Sequence, residues 1–324
     1  MKLSNFVLVL VVMLVTSCST ETDLKPRDFD VFWEETLNNM SLTIDYEAIK
    51  DTIVDNKKLS LFKVNSYDNV VFYAWVSEPL SDGEFPIKIR FSGLGQGSSN
   101  SNEIPNQWFL KDPNFINMTV DIRGQGLSTE QIGVEGYLTN GLNHKETYIY
   151  RGAYMDAVRA VDFMSLNPKG DGNIIVTGGG QGGTLSIVAT ALNPKVTMCI
   201  VGFPFLTDIH GYDKKLWPMM SFINHAYKNE IGLFELKHTL SYFDVLNFAD
   251  KVDKPLFIRT QRLDSITPKE GAQKFFNAIK SDKKELYIED CEGHGCSNSS
   301  EFSKTANELE QIFISANILK QHKN

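Results

Sequence analysis

Cysteine is scarce, at four residues in 324. A fold stapled by a dense disulfide framework is therefore excluded, and burial of a core must supply the stability. Cations do not dominate either: 32 Lys and Arg stand against 40 Asp and Glu, for a formal net charge of −8. Nucleic acid and anionic membrane surfaces need clustered Lys and Arg to displace counterions, so neither is an expected partner. The chain has no internal repeat and no Pro, Gly or Ser-rich linker, which favours one large domain, and a hydrophobic fraction of 42% supports a substantial core. Beyond residue 15 no apolar run is long enough to span a bilayer.

What is present begins with a targeting signal. Lys2 precedes the apolar run 6-FVLVLVVMLV-15, which suits a signal-peptide core and is too short for a mature transmembrane helix. The run closes on Val15-Thr16-Ser17-Cys18, which resembles a bacterial lipobox, where cleavage leaves a lipid-modified cysteine as the new N-terminus. An ordinary secretory signal with a chance cysteine is the alternative. These residues predict a signal peptide over 1–17, a polar tether over 18–27 and a domain over 28–324. The expected location is the bacterial cell envelope, with membrane attachment only through a lipid on Cys18.

Within the domain, short apolar runs alternate with helical patterns. Strands are predicted at 60–64, 69–76, 86–92, 116–122, 173–177, 196–201, 255–260 and 285–289, the first two as a hairpin turning at Asp68-Asn69. Helical patterns cover 151–166 and 269–280. Strands separated by helices require crossover connections, hence a mostly parallel sheet with helices on both faces.

The stretch 174-IIVTGGGQGGTLSIVATAL-192 carries two motifs. As Gly178-x-Gly180-x-x-Gly183 it is a dinucleotide-binding turn. As Gly178-x-Gly180-x-Gly182 it is a hydrolase elbow with no serine at its centre. The first reading demands an acidic residue at the end of the following strand, to receive the ribose hydroxyls. That strand runs into 200-IVGFPFL-206, with Gly202 at the place and Asp208 the nearest acid, past a proline. The second demands an acid and then a histidine on later strand-end loops. Asp264 and His294 meet that order. His294 is flanked by cysteines in 291-CEGHGC-296, which permits a loop disulfide or a zinc site, the latter without a further ligand nearby; Cys199, in VTMCIV, reads as a core residue.

The segments Arg123-Gly124-Gln125, Gly178 to Gly183, YRGAYMDAVRA at 150–160, LSYFDVLNFADKV at 240–252 and LDSITP at 263–268 resemble carbohydrate esterase family seven, the acetyl xylan esterases and cephalosporin C deacetylases. The resemblance runs from about residue 28 to the C-terminus. It implies an α/β-hydrolase fold, no cofactor and no metal, removal of acetyl groups from short xylo-oligosaccharides and similar small esters, and a homo-oligomer, commonly a hexamer. It further implies Asp264 and His294 as catalytic acid and base, the backbone N–H groups of Leu94 and Gln181 as oxyanion donors, and Arg123 and Gln125 as residues tying loops around the site.

Four positions depart from the family pattern. Gly180 replaces the nucleophilic serine, Ser92-Gly93-Leu94 a His-Gly-Tyr loop, His294-Gly295 a His-Glu pair, and 202-GFPF-205 an Asp-Tyr-Pro-Tyr segment. Without a hydroxyl at 180 no acyl-enzyme forms there, although backbone donors survive side-chain loss. Turnover is expected to be strongly reduced or absent, leaving a pseudo-esterase that binds acetylated sugar. The alternatives are weak hydrolysis by a water that His294 activates in the vacated place, or a hydroxyl relocated to Ser98, Ser99, Thr184 or Ser297.

Overall fold

The computed structural model describes residues 25–97, 110–128, 133–296 and 301–318. Cys18, the signal segment, most of the tether and the serines at 98, 99 and 297 lie outside the described residues. Nine strands form one sheet. In chain order they are β1 (Tyr46–Val54), β2 (Lys57–Asn65), β3 (Val71–Pro79), β4 (Phe85–Phe91), β5 (Ile116–Asp121), β6 (Gly170–Gly179), β7 (Met198–Gly202), β8 (Leu256–Leu263) and β9 (Lys284–Glu292). Their order across the sheet is β1-β2-β3-β5-β4-β6-β7-β8-β9. The pairs β1/β2, β2/β3 and β3/β5 are antiparallel, and the remaining pairs are parallel.

The parallel strands read as unbroken apolar runs because both faces are covered, and alternate residues serve different cores. Ile174, Val176, Cys199, Val201, Leu256 and Ile258 join the main core. Their neighbours Ile175, Met198, Ile200 and Phe257 pack instead with Phe313 and Ile314. The main-core face carries α1 (Phe29–Asn38), α3 (Ile149–Met164), α4 (Gln181–Leu192), α5 (Met219–Lys228), α6 (Leu233–Ser241) and α7 (Lys269–Ala278), with the short α2 (Val134–Thr139) between β5 and α3. The opposite face carries α8 (Glu301–Ile318). This is the mostly parallel, doubly covered sheet that the alternation of runs predicts. Among the described residues no helix is long and apolar enough to cross a membrane.

Among the elements the sequence did not announce are β1 and α1. β1 is exposed along nearly its whole length, so it carries no alternation of burial to betray it. Helix α1 is fixed by aromatic contacts: Trp33 stacks on Tyr154 at 5.5 Å and donates from Nε1 to the carbonyl of Tyr242 at 3.1 Å. The segment LSYFDVLNFADKV supplies Tyr242 and one buried anchor besides. Asp244 accepts from the backbone N–H groups of Asp208, Ile209 and Leu246 at 2.8–2.9 Å, and burial pushes its carboxyl up to about 6 even so. The chain leaving β7 is thereby pinned where it borders the cleft described next.

Candidate active site

The glycine cluster closes a sharp turn from β6 into α4. A Cβ on Gly182 would lie 2.1 Å from the carbonyl oxygen of Phe91, and one on Gly178 would lie 2.5 Å from the carbonyl carbon of Gly182. Both positions therefore have to be glycine for strand and helix to pack this closely. Gly180 sits at the apex with φ +56° and ψ −122°, a conformation that L residues rarely adopt. Its N–H donates to Gly202 and its carbonyl accepts from Thr184 and Phe205, each at 3.1 Å. The apex is thus held by β7 and by its own helix.

The acid and base converge on that apex from two other strand ends. His294, two residues beyond β9, shares a hydrogen bond of 2.8 Å between Nδ1 and Asp264 Oδ2, just beyond β8. Asp264 is turned back on its own loop: Oδ1 accepts from the N–H groups of Ile266 at 2.8 Å and Thr267 at 3.1 Å, and Oδ2 from the Thr267 hydroxyl at 2.6 Å. Burial alone would raise this carboxyl, but the hydrogen bonds from His294 and Thr267 outweigh it and hold the group below the usual carboxylate range. It is therefore a fixed anion at neutral pH, able to orient the imidazole and support its charged form. A Cβ built on Gly180 would lie 3.4 Å from His294 Nε2 and 3.8 Å from Cε1, and, apart from the adjoining residues of the chain, nothing else described comes within 4 Å. Acid, base and elbow apex are in line, with no side chain at the apex.

A cleft of about 950 Å³ opens over this line. Leu94, Gln181, Phe205, Trp217 and Ile266 border it on the elbow side, and Phe205 and Trp217 stack at 5.5 Å as part of its wall. Gln181 is the first residue of α4, so its backbone N–H has no acceptor within the helix. Its side-chain Oε1 accepts from the Tyr150 hydroxyl at 3.0 Å. Gln125, 4% exposed, accepts through Oε1 the N–H of Gly95 at 3.0 Å and so holds the loop that carries Leu94. Arg123 lies deeper, with Nε and Nη2 on the two oxygens of Asp156 at 2.8 and 2.7 Å, and Nη2 also on the carbonyl of Tyr67 at 2.9 Å.

Several features of the site were not foreseen. Thr267 bridges acid and base, its hydroxyl 3.3 Å from His294 Nδ1; the tight turn after Asp264 in LDSITP is the signal that could have found it. Phe203, at φ +36°, presents its ring to His294 with centroids 4.8 Å apart. Beneath the histidine loop, Gln261 donates to the buried Glu289 at 2.6 Å, and its Oε1 faces the N–H of Gly295 at 3.4 Å. Thr184 is no relocated nucleophile: its hydroxyl donates to the backbone carbonyls of Phe205 and Gly180.

Of the two readings of CEGHGC, the structure takes the disulfide. Cys291 and Cys296 are bonded with Cα atoms 6.1 Å apart, and Cys199 is free and buried. The sequence suggested no further ligand near the two sulfurs, whereas the fold brings Glu289 into their group. That carboxylate is already engaged by Arg259 and Gln261. The bridge closes a short loop around His294, which on chain-entropy grounds stabilises by about 2 kcal/mol at most. Thiol titration in denaturant should gain two groups per chain on reduction; no gain would show that the cysteines are unbridged.

The acetyl xylan esterase (AXE1) family model matches residues 16–310. Acetyl esterase Axe7A of Xylanibacter ruminicola is 28% identical over 278 residues, and the alignment covers 81% of this chain and 62% of that protein. The chain thus spans less than two thirds of the length of that curated relative. Among solved structures, acetyl xylan esterase from Paenibacillus sp. R4 superposes with a TM-score of 0.75 at 23% identity, covering 90% of this chain and 95% of its own. Acetyl xylan esterase 1 from Thermoanaerobacterium sp. JW/SL YS485 gives 0.73 at 22% identity, covering 89% and 94%. Those two likenesses establish the α/β-hydrolase fold, and the family match extends across nearly all of that fold. With its acid and base aligned on a glycine elbow, the chain belongs to the acetyl xylan esterase family.

Proposed function

We propose that this chain binds acetylated xylo-oligosaccharides or similar small acetyl esters in the cleft and turns them over little or not at all. One observation carries the reading: the family's reaction needs a hydroxyl at the elbow apex, and the apex facing His294 is Gly180. Acyl transfer to the protein requires an attacking oxygen within reach of the base, and a glycine has none. The retained Asp264–His294 pair and the cleft support binding rather than a purely structural role, since neither is needed to hold the sheet together. A water beside His294 offers only residual catalysis, roughly 10³ to 10⁴ over the uncatalysed rate in serine proteases that lose a triad member.

The test pairs turnover with binding. Hydrolysis of p-nitrophenyl acetate should stay below the ordinary enzyme range of roughly 1–10³ s⁻¹, and a fluorophosphonate probe should leave the protein unlabelled. Calorimetry should show acetylated xylo-oligosaccharide binding more tightly than its deacetylated counterpart. Turnover in the ordinary range would place a nucleophile elsewhere and sink the reading.

A further inference from the structure

Gly180 changes the kind of group the cleft can hold. In a serine esterase the space beside the base is filled by a hydroxyl bonded to the chain, so a carboxylate product has to share it with that oxygen. Here the same space is open to a ligand atom. The position a Cβ would take lies in van der Waals contact with His294 and, apart from the adjoining residues of the chain, meets nothing else described within 4 Å.

Two features of the apex suit an anion. The N-terminus of α4, 12 residues long, presents backbone N–H groups and the positive end of the helix dipole. His294 turns Nε2 toward the vacated space, while Nδ1 is held by Asp264 at 2.8 Å. Among the charged side chains lining the cleft, Arg259 is already paired with Glu289 and Glu310. In direct contact with the imidazole are the carboxylate of Asp264, the hydroxyl of Thr267 and the ring of Phe203. Asp264 is the one charge among them.

We infer that the elbow is a receptor for a small carboxylate, either acetate or the carboxylate of a sugar acid. One carboxylate oxygen takes the backbone donors of Gln181 and Leu94. The other occupies the place of the absent hydroxyl and accepts from His294 Nε2–H. No bond is made or broken. The inference rests on the reading above that Gly180 leaves the elbow without a nucleophile. It goes further in preferring the acid to the ester, because a charge-assisted hydrogen bond is roughly twice as strong as a neutral one.

The full chain should be titrated with sodium acetate, sodium glucuronate and the neutral isostere acetamide, by calorimetry. Acetate should bind at least about tenfold more tightly than acetamide. Gly180→Ser, which refills the space, and His294→Ala, which removes the donor, should each weaken acetate at least about tenfold; His294→Ala keeps the test open if the elbow variant does not fold. Glucuronate tighter than acetate would assign the site to a sugar acid, and the reverse order to acetate. Equal binding of acetate and acetamide, no binding of either anion, or affinities unmoved in His294→Ala would overturn the inference. If acetate fails to bind and ester turnover is also absent, the non-catalytic reading stands alone. Ordinary turnover by the unaltered chain would remove that reading instead.

Discussion

Gly180→Ser should create a nucleophile at the elbow apex, raising acetyl-ester hydrolysis by about 10²–10⁴-fold and making the protein a target for fluorophosphonates. The position a Cβ would take is 3.4 Å from His294 Nε2, so a hydroxyl on it comes within hydrogen-bonding reach of the base. Asp264 already holds the far side of the imidazole. The substitution has a structural cost. At φ +56° and ψ −122° glycine is unstrained, whereas serine adds about 1–3 kcal/mol of backbone strain. Thermal unfolding should therefore drop by a few degrees. Gly180→Ala is the control, because it carries the strain without the hydroxyl and should stay inactive and unlabelled. A folded Gly180→Ser protein that neither labels nor gains activity would show that residue 180 is not where attack occurs.

The parts of this site that were legible in the sequence are those that chain order encodes. Asp264 and His294 could be picked out because each follows a predicted strand and comes in the sequence acid then base. Gly180 could be picked out because the glycines around it have to be small. Contacts made through backbone atoms leave no such trace. Gln125 works by accepting the backbone N–H of Gly95, a donor that does not depend on a side chain at 95. Phe203 reaches His294 because its φ is positive, which no pattern around 203 announces. In the fold, the buried parallel strands were visible as apolar runs. β1 was not, because an edge strand without a buried face has no pattern to display. The disulfide was an open choice from spacing alone and was resolved only when the loop brought the two Cα atoms to 6.1 Å.

The other large effect is expected far from the apex. Asp156→Ala should cost about 3–5 kcal/mol, because it leaves the guanidinium of Arg123 buried without its counter-ion. Asp156 is fully buried on α3, and its two oxygens meet Nε and Nη2 of Arg123 at 2.8 and 2.7 Å. Oδ2 also accepts the backbone N–H of Arg123 at 3.0 Å, so the carboxylate fixes main chain as well as side chain. Burial alone would make the charged guanidinium harder to keep, and Asp156 more than offsets this, holding its pKa above the ordinary value. The surroundings are shaped for the pair: a Cβ on Gly152 would lie 1.9 Å from Arg123 Nη1, so the helix has glycine where the guanidinium crosses it. Two residues on, Gln125 holds the loop that carries Leu94. Loss of Asp156 should therefore loosen the cleft as well as the core, and ligand binding should weaken beyond what the unfolded fraction explains. Urea denaturation measures the first effect and calorimetry of the folded variant the second. Removing both charges together, as Asp156→Leu with Arg123→Met, should recover much of the lost stability without recovering binding. A loss below about 1 kcal/mol for Asp156→Ala would mean that water reaches Arg123, and that this turn is not the buried support the geometry describes.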